Sequence, residues 1–271
     1  GLACPDWPLC LGTFFPEMTG AVLFEHSHRL IAGTTGVIVW ITGIIHLASD
    51  RSSPVTKTLS ALLMVSIVVQ AVLGGLTVLY QLPGWISTLH FLLAHLTFAG
   101  MFYLSWLFFR STGRPEPAYS DGEQWLGLTT LIVLFAQMGL GAWLRHIGTK
   151  GPPLQDLTEN FPWNEALWLN YMPFYYLNTY WIHRGGAVLV TLFIVWLAVH
   201  ELSNRGQEST DFLLSFASGI VVLVQVILGV LSVRASLSVL FVMFHTAGAL
   251  LLFTLFLQKN FRSLGAGVEE P

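Results

Sequence analysis

Long apolar runs dominate this chain, separated by short polar stretches and lacking the two-residue alternation of half-buried strands. Seven runs, near 27–48, 56–81, 86–110, 124–146, 182–202, 211–233 and 236–258, are each about 20 residues or more. As helices they are long enough to cross ~30 Å of hydrocarbon. Continuous runs of this kind exclude a transmembrane barrel, whose strands alternate. The predicted fold class is an all-α polytopic membrane protein.

Composition agrees with that pattern. The chain is 54% hydrophobic and 10% charged, far from the roughly 25% charge of soluble domains. Its net charge of −3 gives no sign of a nucleic-acid partner. Lys and Arg placement sets the expected orientation. Arg51, Lys57, Arg110, Arg114, Arg205, Lys259 and Arg262 follow spans one, three, five and seven. The first 26 residues and the 147–181 loop are poor in Lys and Arg. Residue 1 is therefore expected outside and Pro271 in the cytoplasm, in a bacterial cell membrane. The chain opens with loop-like Gly1-Leu2-Ala3, with neither the basic nor the apolar region of a signal peptide.

Three polar landmarks recur at one spacing. His28 and His183, Gln70 and Gln225, and His90 and His245 are each 155 positions apart. The offset spans four crossings, so it predicts two tandem units in the same orientation. The first is residues 1–115, with an outer cysteine loop; the second is 116–271, a four-helix bundle with the long outer 147–181 loop. The span at 124–146 would have its mate ahead of residue 1. The first unit is thus expected to lack its first helix in this chain.

Within each expected unit two histidines lie on helices that run the same way, and both are expected in the first turns. Two imidazoles facing each other across a bundle are what axial ligation of a haem iron requires. Gly33, Gly36, Gly74, Gly75, Gly185, Gly186 and Gly229 offer room for a macrocycle. Arg29 and Arg184 each follow a histidine near a helix start, where the macrodipole disfavours a cation. A haem propionate would compensate, and so would snorkelling to the interface. His46 and His200 read as interfacial, and His146 receives no role. His26 and His95 have no histidine 155 positions on and read as solvated or hydrogen-bonded, with lining of the first histidine site as the alternative.

The units differ in one respect that bears on chemistry. Glu25 shares a helical face with His28, whereas the position 155 further on is Tyr180. Cys4 and Cys10 likewise map onto Glu159 and Glu165. One unit is therefore expected to do chemistry and the other to hold a cofactor, although Glu25 could equally pair with Arg29 one turn on. The two cysteines, in Cys4-Pro5-Asp6-Trp7-Pro8-Leu9-Cys10, are expected to form a disulfide in an outer segment. A zinc site would need more ligands than this stretch supplies. Whether the pair is a staple or a redox group is left open by the residues.

These residues resemble the haem A synthases of bacteria and mitochondria. The likeness rests on the Gly1–Cys10 segment, Glu25-x-x-His28-Arg29, Leu89-His90, His183-Arg184 and His245. It covers essentially the whole chain, and the family's eight spans match the seven here plus the helix expected ahead of residue 1. The resemblance implies oxidation of the C8 methyl of haem O to a formyl group, in two successive steps, giving haem A for terminal oxidases. It implies haem b on His183 and His245, substrate haem O at His28 and His90, and Glu25 as a catalytic carboxylate. Some members carry a second cysteine pair between the units, and this chain does not.

A haem O synthase is implied as a handover partner, with an unidentified electron acceptor, and a homo-oligomer is compatible with the pattern. Two other readings account for four histidines: a non-catalytic di-haem b electron-transfer protein, and a haem carrier or transporter. The first does not account for Glu25 or the cysteine loop, and the second predicts weak, exchangeable ligation at both sites.

Overall fold

The structure, a computed structural model, describes residues 2–110, 119–148, 174–234 and 239–265. Among these are seven helices: α1 (Gly20–Ala48), α2 (Pro54–Leu79), α3 (Gly84–Arg110), α4 (Asp121–Gly148), α5 (Phe174–Arg205), α6 (Thr210–Arg234) and α7 (Val239–Gly265). Each contains a stretch apolar and long enough to cross a membrane, and the protein is a multi-pass membrane protein.

The ends of these helices are written in local chemistry. Ser53 caps α2 by accepting the Thr56 amide at 3.1 Å, with Pro54 just inside, where its missing N–H costs nothing. Gln81 and Leu82 take left-handed φ values of 56° and 60°, which reverses the chain between α2 and α3. Before α4, Ser120 and Glu123 form a reciprocal cap. The Ser120 amide donates to Glu123 Oε2 at 2.8 Å, and Ser120 Oγ accepts the Glu123 amide at 3.3 Å. Gly206, at φ 80°, and Ser209, which accepts the Phe212 amide, separate α5 from α6.

Two helices begin earlier than the apolar runs do. α1 starts at Gly20 rather than near 27, and α5 at Phe174 rather than near 182. His28 and His183 therefore sit in the third turn of their helices, not the first. Arg29 and Arg184 lie beyond the turn where the macrodipole acts. The apolar run under-reads α1 because Glu25 and Arg29 are satisfied by the preceding loop, which lets helix continue through charged positions.

The chain divides into two compact units, Gly1–Thr112 and Gly113–Pro271. In the first, α1 packs on α2 and α2 on α3. In the second, α4, α5, α6 and α7 pack in succession and α7 returns against α4, closing a ring. Large apolar side chains such as Ile31, Val37, Ile38, Leu192 and Val195 face outward, as lipid requires. The interfaces are built instead on small and hydroxyl residues. Gly36 lies against Ile67, Gly100 against Leu63, and Ser66 bonds Thr97 across α2 and α3 at 2.5 Å.

One end of the second unit is tied by ions. Lys259 of α7 pairs with Glu201 of α5 and donates to Ser215 of α6 at 3.0 Å. Asp211, 2% exposed, gathers the Tyr119 hydroxyl at 2.9 Å, Arg205 at 3.6 Å and Arg262 at 3.4 Å. Arg205 also reaches Glu123 at 2.9 Å. The Asp211 carboxylate and burial together push the Tyr119 hydroxyl well above its usual pKa, with burial the larger cause.

Candidate functional site

Residues 2–19 fold back over the start of α1 and make the most connected polar structure of the first unit. The expected disulfide is present: Cys4 and Cys10 are bonded at 1.96 Å, and both are fully buried. Asp6 organises the loop by accepting the Leu11 and Gly12 amides at 2.7 and 2.8 Å. The Gly12 amide above all holds its carboxyl below the usual carboxylate range. Trp7 lies against Gly75 of α2, where even a methyl group would stand 2.8 Å from the indole.

Glu25 and Arg29, one turn apart on α1, grip this loop. Arg29 donates to the carbonyl oxygens of Cys4, Asp6 and Leu9 at 2.9, 2.8 and 2.5 Å. It also pairs with Glu25 Oε1 at 3.0 Å. Glu25 Oε2 accepts the Ala3 amide at 2.8 Å. The Glu25–Arg29 pair anticipated as an alternative to catalysis is thus formed, and it works as a clamp on the loop.

His26 departs from expectation. It is 5% exposed, and neither ring nitrogen has a hydrogen-bond partner, where a solvated or hydrogen-bonded role was expected. The cause is the loop, which lays Cys4 and Cys10 over the ring. The donor atoms of Cys4, Cys10 and His26 all lie within 4.8 Å of one another.

The four matched histidines fall in pairs within the units. In the first, His28 and His90 are close enough for their charges to interact. His28 is exposed and His90 half-buried. The His90 ring faces Gly74 of α2, where an added Cβ would lie 3.0 Å from Cε1. Gln70 donates to the His90 carbonyl at 2.9 Å. In the second unit, His183 and His245 are likewise within electrostatic reach. The His183 ring faces Gly141 of α4, with a Cβ clearance of only 2.9 Å, and the His245 ring faces Gly229 of α6 at 3.3 Å. Gln137 donates to the His183 carbonyl at 2.5 Å. Nδ1 of His90, His183 and His245 is buried without a partner. Three of these imidazoles, His90, His183 and His245, lie against glycines where an added Cβ would stand 2.9–3.3 Å from the ring, and with His28 they make a donor set and a cradle that fit an iron porphyrin. His28 with His90, and His183 with His245, are the residues that would hold one.

The glycines expected from the sequence to make room did not include Gly141, and Trp7 was read only as part of the cysteine segment. Of the glycines expected to make room, Gly33 and Gly185 have nothing within 4 Å, Gly36 faces Ile67 and Gly186 faces Gln137. Arg184 lies 4.6 Å over the Tyr180 ring, and Tyr180 is the residue that stands where Glu25 does in the first unit. His95 bonds the Phe91 carbonyl at 2.8 Å, His46 bonds Ser60 at 2.9 Å, and His200 contacts Asn204 at 2.9 Å. His146 lies in the last turn of α4. Glu159 and Glu165, and most of the expected 147–181 loop, lie outside the described residues.

Comparison with known proteins finds relatives that align with most of this chain. The chain is 28% identical over 258 residues to a Heme A synthase of Bacillus pumilus, covering 91% of this chain and 80% of that protein. It is 27% identical over 254 residues to that of Bacillus licheniformis, covering 90% and 81%. To that of Staphylococcus saprophyticus it is 26% identical over 263 residues, covering 92% and 82%. The family model of the COX15-CtaA cytochrome oxidase assembly proteins matches residues 17–257. The chain belongs to that family.

Proposed function

We propose that this chain makes haem A, oxidising the C8 methyl of haem O to a formyl group, with the first unit as the reacting half. The observation that carries the reading is the asymmetry of the two histidine pairs. Beside His28 the chain gathers a carboxylate, a guanidinium and a disulfide loop in one hydrogen-bonded assembly. Beside His183 it places Tyr180 and Arg184 stacked on each other, with Tyr180 rather than a carboxylate at the position that corresponds to Glu25. A second relative class, the non-catalytic di-haem cytochrome, needs only the feature that both halves share.

In this reading substrate haem O is held by His28 and His90, and haem b by His183 and His245. Haem b supplies one-electron chemistry at its iron; the protein's part is ligation, orientation and charge. Gly74, Gly141 and Gly229 let the imidazoles seat against a backbone that cannot be pushed aside. Gln70 and Gln137 fix the carbonyls of two of the ligand residues. Glu25 sits one helical turn before His28 and is the group placed to steady positive charge or move a proton at the substrate edge. Arg29 and Arg184 are the cations available to propionates. The cysteine loop and residue 1 lie on the outer side and the C-terminus in the cytoplasm. A haem O synthase, an electron acceptor and a second copy of the chain are its proposed partners.

The test is Glu25→Gln, expressed with a source of haem O, followed by extraction and mass analysis of bound haem. Haem content should persist while formyl haem falls by tenfold or more. Unchanged formyl yield would remove Glu25 from the chemistry. Unmodified haem b alone in the unaltered chain would favour the cytochrome.

A further inference from the structure

Among the described residues, the group of side chains close enough together to hold a metal ion is not at the histidine pairs. It is Cys4, Cys10 and His26, whose donor atoms lie within 4.8 Å of one another. We propose that the reduced form of this loop is a Cu(I) site, with the two thiolates of Cys4 and Cys10 and one ring nitrogen of His26 as its three ligands.

Two independent observations converge here. The sulfurs and the imidazole lie within 4.8 Å of one another, all three residues at 5% exposure or less. His26 also buries both ring nitrogens with no partner. Buried polar atoms are nearly always satisfied, and one that is not calls for a reason. His26 has no hydrogen-bonding duty in the disulfide form, yet its ring is aimed at the two sulfurs.

The metal follows from the donors. A trigonal or tetrahedral ion with bonds of roughly 2.3 Å to sulfur and 2.1 Å to nitrogen needs donors about 3.5–4 Å apart. Once the sulfurs separate, the observed cluster spans that distance. Zinc takes four protein ligands, or three and a water; no fourth His, Cys, Asp or Glu joins the group among the described residues, and the three residues are buried at 5% exposure or less. Two thiolates and an imidazole without a fourth donor suit a soft d10 monocation, and thiolate selects Cu(I). The chemistry balances with a dithiol reductant. It delivers two electrons and two protons to the Cys4–Cys10 bond and becomes a disulfide itself. The two thiols then lose their protons as the ion binds. Access runs through the loop, whose residues Pro5, Trp7, Pro8 and 11–15 are exposed.

The experiment uses the whole chain in detergent, reduced anaerobically with a phosphine and titrated with Cu(I) against a chromogenic Cu(I) chelator. One equivalent should bind after reduction and none in the disulfide form. X-ray absorption should show two sulfurs and one nitrogen. His26→Leu should weaken binding at least tenfold, Cys4→Ser should abolish it, and His28→Ala should leave it intact. The proposal is overturned if the reduced chain takes up no Cu(I), if His26→Leu binds as tightly, or if Zn(II) displaces Cu(I). Loss of helical circular dichroism on reduction would count equally against it, because the site needs α1 in place. None of these outcomes depends on haem A formation.

Discussion

Arg29 should behave as the latch of the cysteine loop, and replacing it with Met tests this quantitatively. Its guanidinium holds three loop carbonyls and Glu25 Oε1 at 2.5–3.0 Å, and the two side chains are only 14% and 13% exposed. A hydrogen bond to a charged group is worth about 1.5–3 kcal/mol and such bonds are not additive. Removing one partner of a buried pair costs about 3–5 kcal/mol. Partial solvent access brings the expected loss to about 3 kcal/mol. Since every 1.4 kcal/mol is tenfold, that is roughly a 100-fold rise in the population of open loop. The readout is the rate at which a small phosphine reduces Cys4–Cys10, which are fully buried when the loop is closed. Where opening is fast, that rate follows the open population. Arg29→Met should react about 100-fold faster. Arg29→Lys, which keeps the charge but loses the fork, should fall between. A rate within twofold of the unaltered chain, with helicity intact, would show that the loop holds itself and that Arg29 is no latch.

Three further outcomes follow from the same geometry. Asp6 accepts the Leu11 and Gly12 amides and its carboxyl is held below the ordinary range, chiefly by Gly12. Its support of the loop is therefore full above about pH 4 and is lost as pH falls through the lowered value. Amide exchange at Leu11 and Gly12 should accelerate in acid beyond its intrinsic rate, and Asp6→Asn should remove that pH dependence. Gly141→Ala should gain about 1 kcal/mol of helix propensity, yet its Cβ would stand 2.9 Å from His183 Cε1. Retained haem should drop or change its absorption spectrum, while Gly185→Ala, with open space around it, should be silent. Lys259→Met strands Glu201, 5% exposed, at a cost of about 3–5 kcal/mol. Thermal unfolding in detergent should show the loss, and Glu201→Leu added to it should restore most of the stability.

The membrane helices were legible because lipid imposes one requirement on every span: apolar length with the backbone bonded internally. That rule says nothing where charge is met by protein, so α1 and α5 begin turns earlier than their apolar runs. The disulfide was legible from two cysteines six positions apart in one short segment. The target of Arg29 was not, because three carbonyls of a preceding loop carry no side-chain signal. Lys259, Arg205 and Arg262 were read as markers of orientation, which is all their position in sequence can say. Their partners Glu201, Asp211 and Glu123 become visible only when α4–α7 close into a ring. His26 was set aside because no histidine stands 155 positions on, a criterion that is blind to a site found in one unit only.

Glu25 serves the loop and, in the proposed reaction, the substrate, and the two uses can be separated. Both of its oxygens are taken, one by Arg29 and one by the Ala3 amide. Moving a proton at either oxygen would therefore require one of these bonds to open. Glu25→Gln keeps an oxygen for one of the two donors and loses the charge and the second acceptor. Its effect on the loop should be about 1–2 kcal/mol, smaller than that of Arg29→Met. If Glu25 only holds the loop, loss of formyl haem will track phosphine reactivity, and Arg29→Met will be the more damaged of the two. If Glu25 acts on the substrate, the order reverses: Glu25→Gln keeps the tighter loop and loses more product. A single ranking of two variants by two assays therefore decides whether the carboxylate beside His28 belongs to the reaction or to the fold.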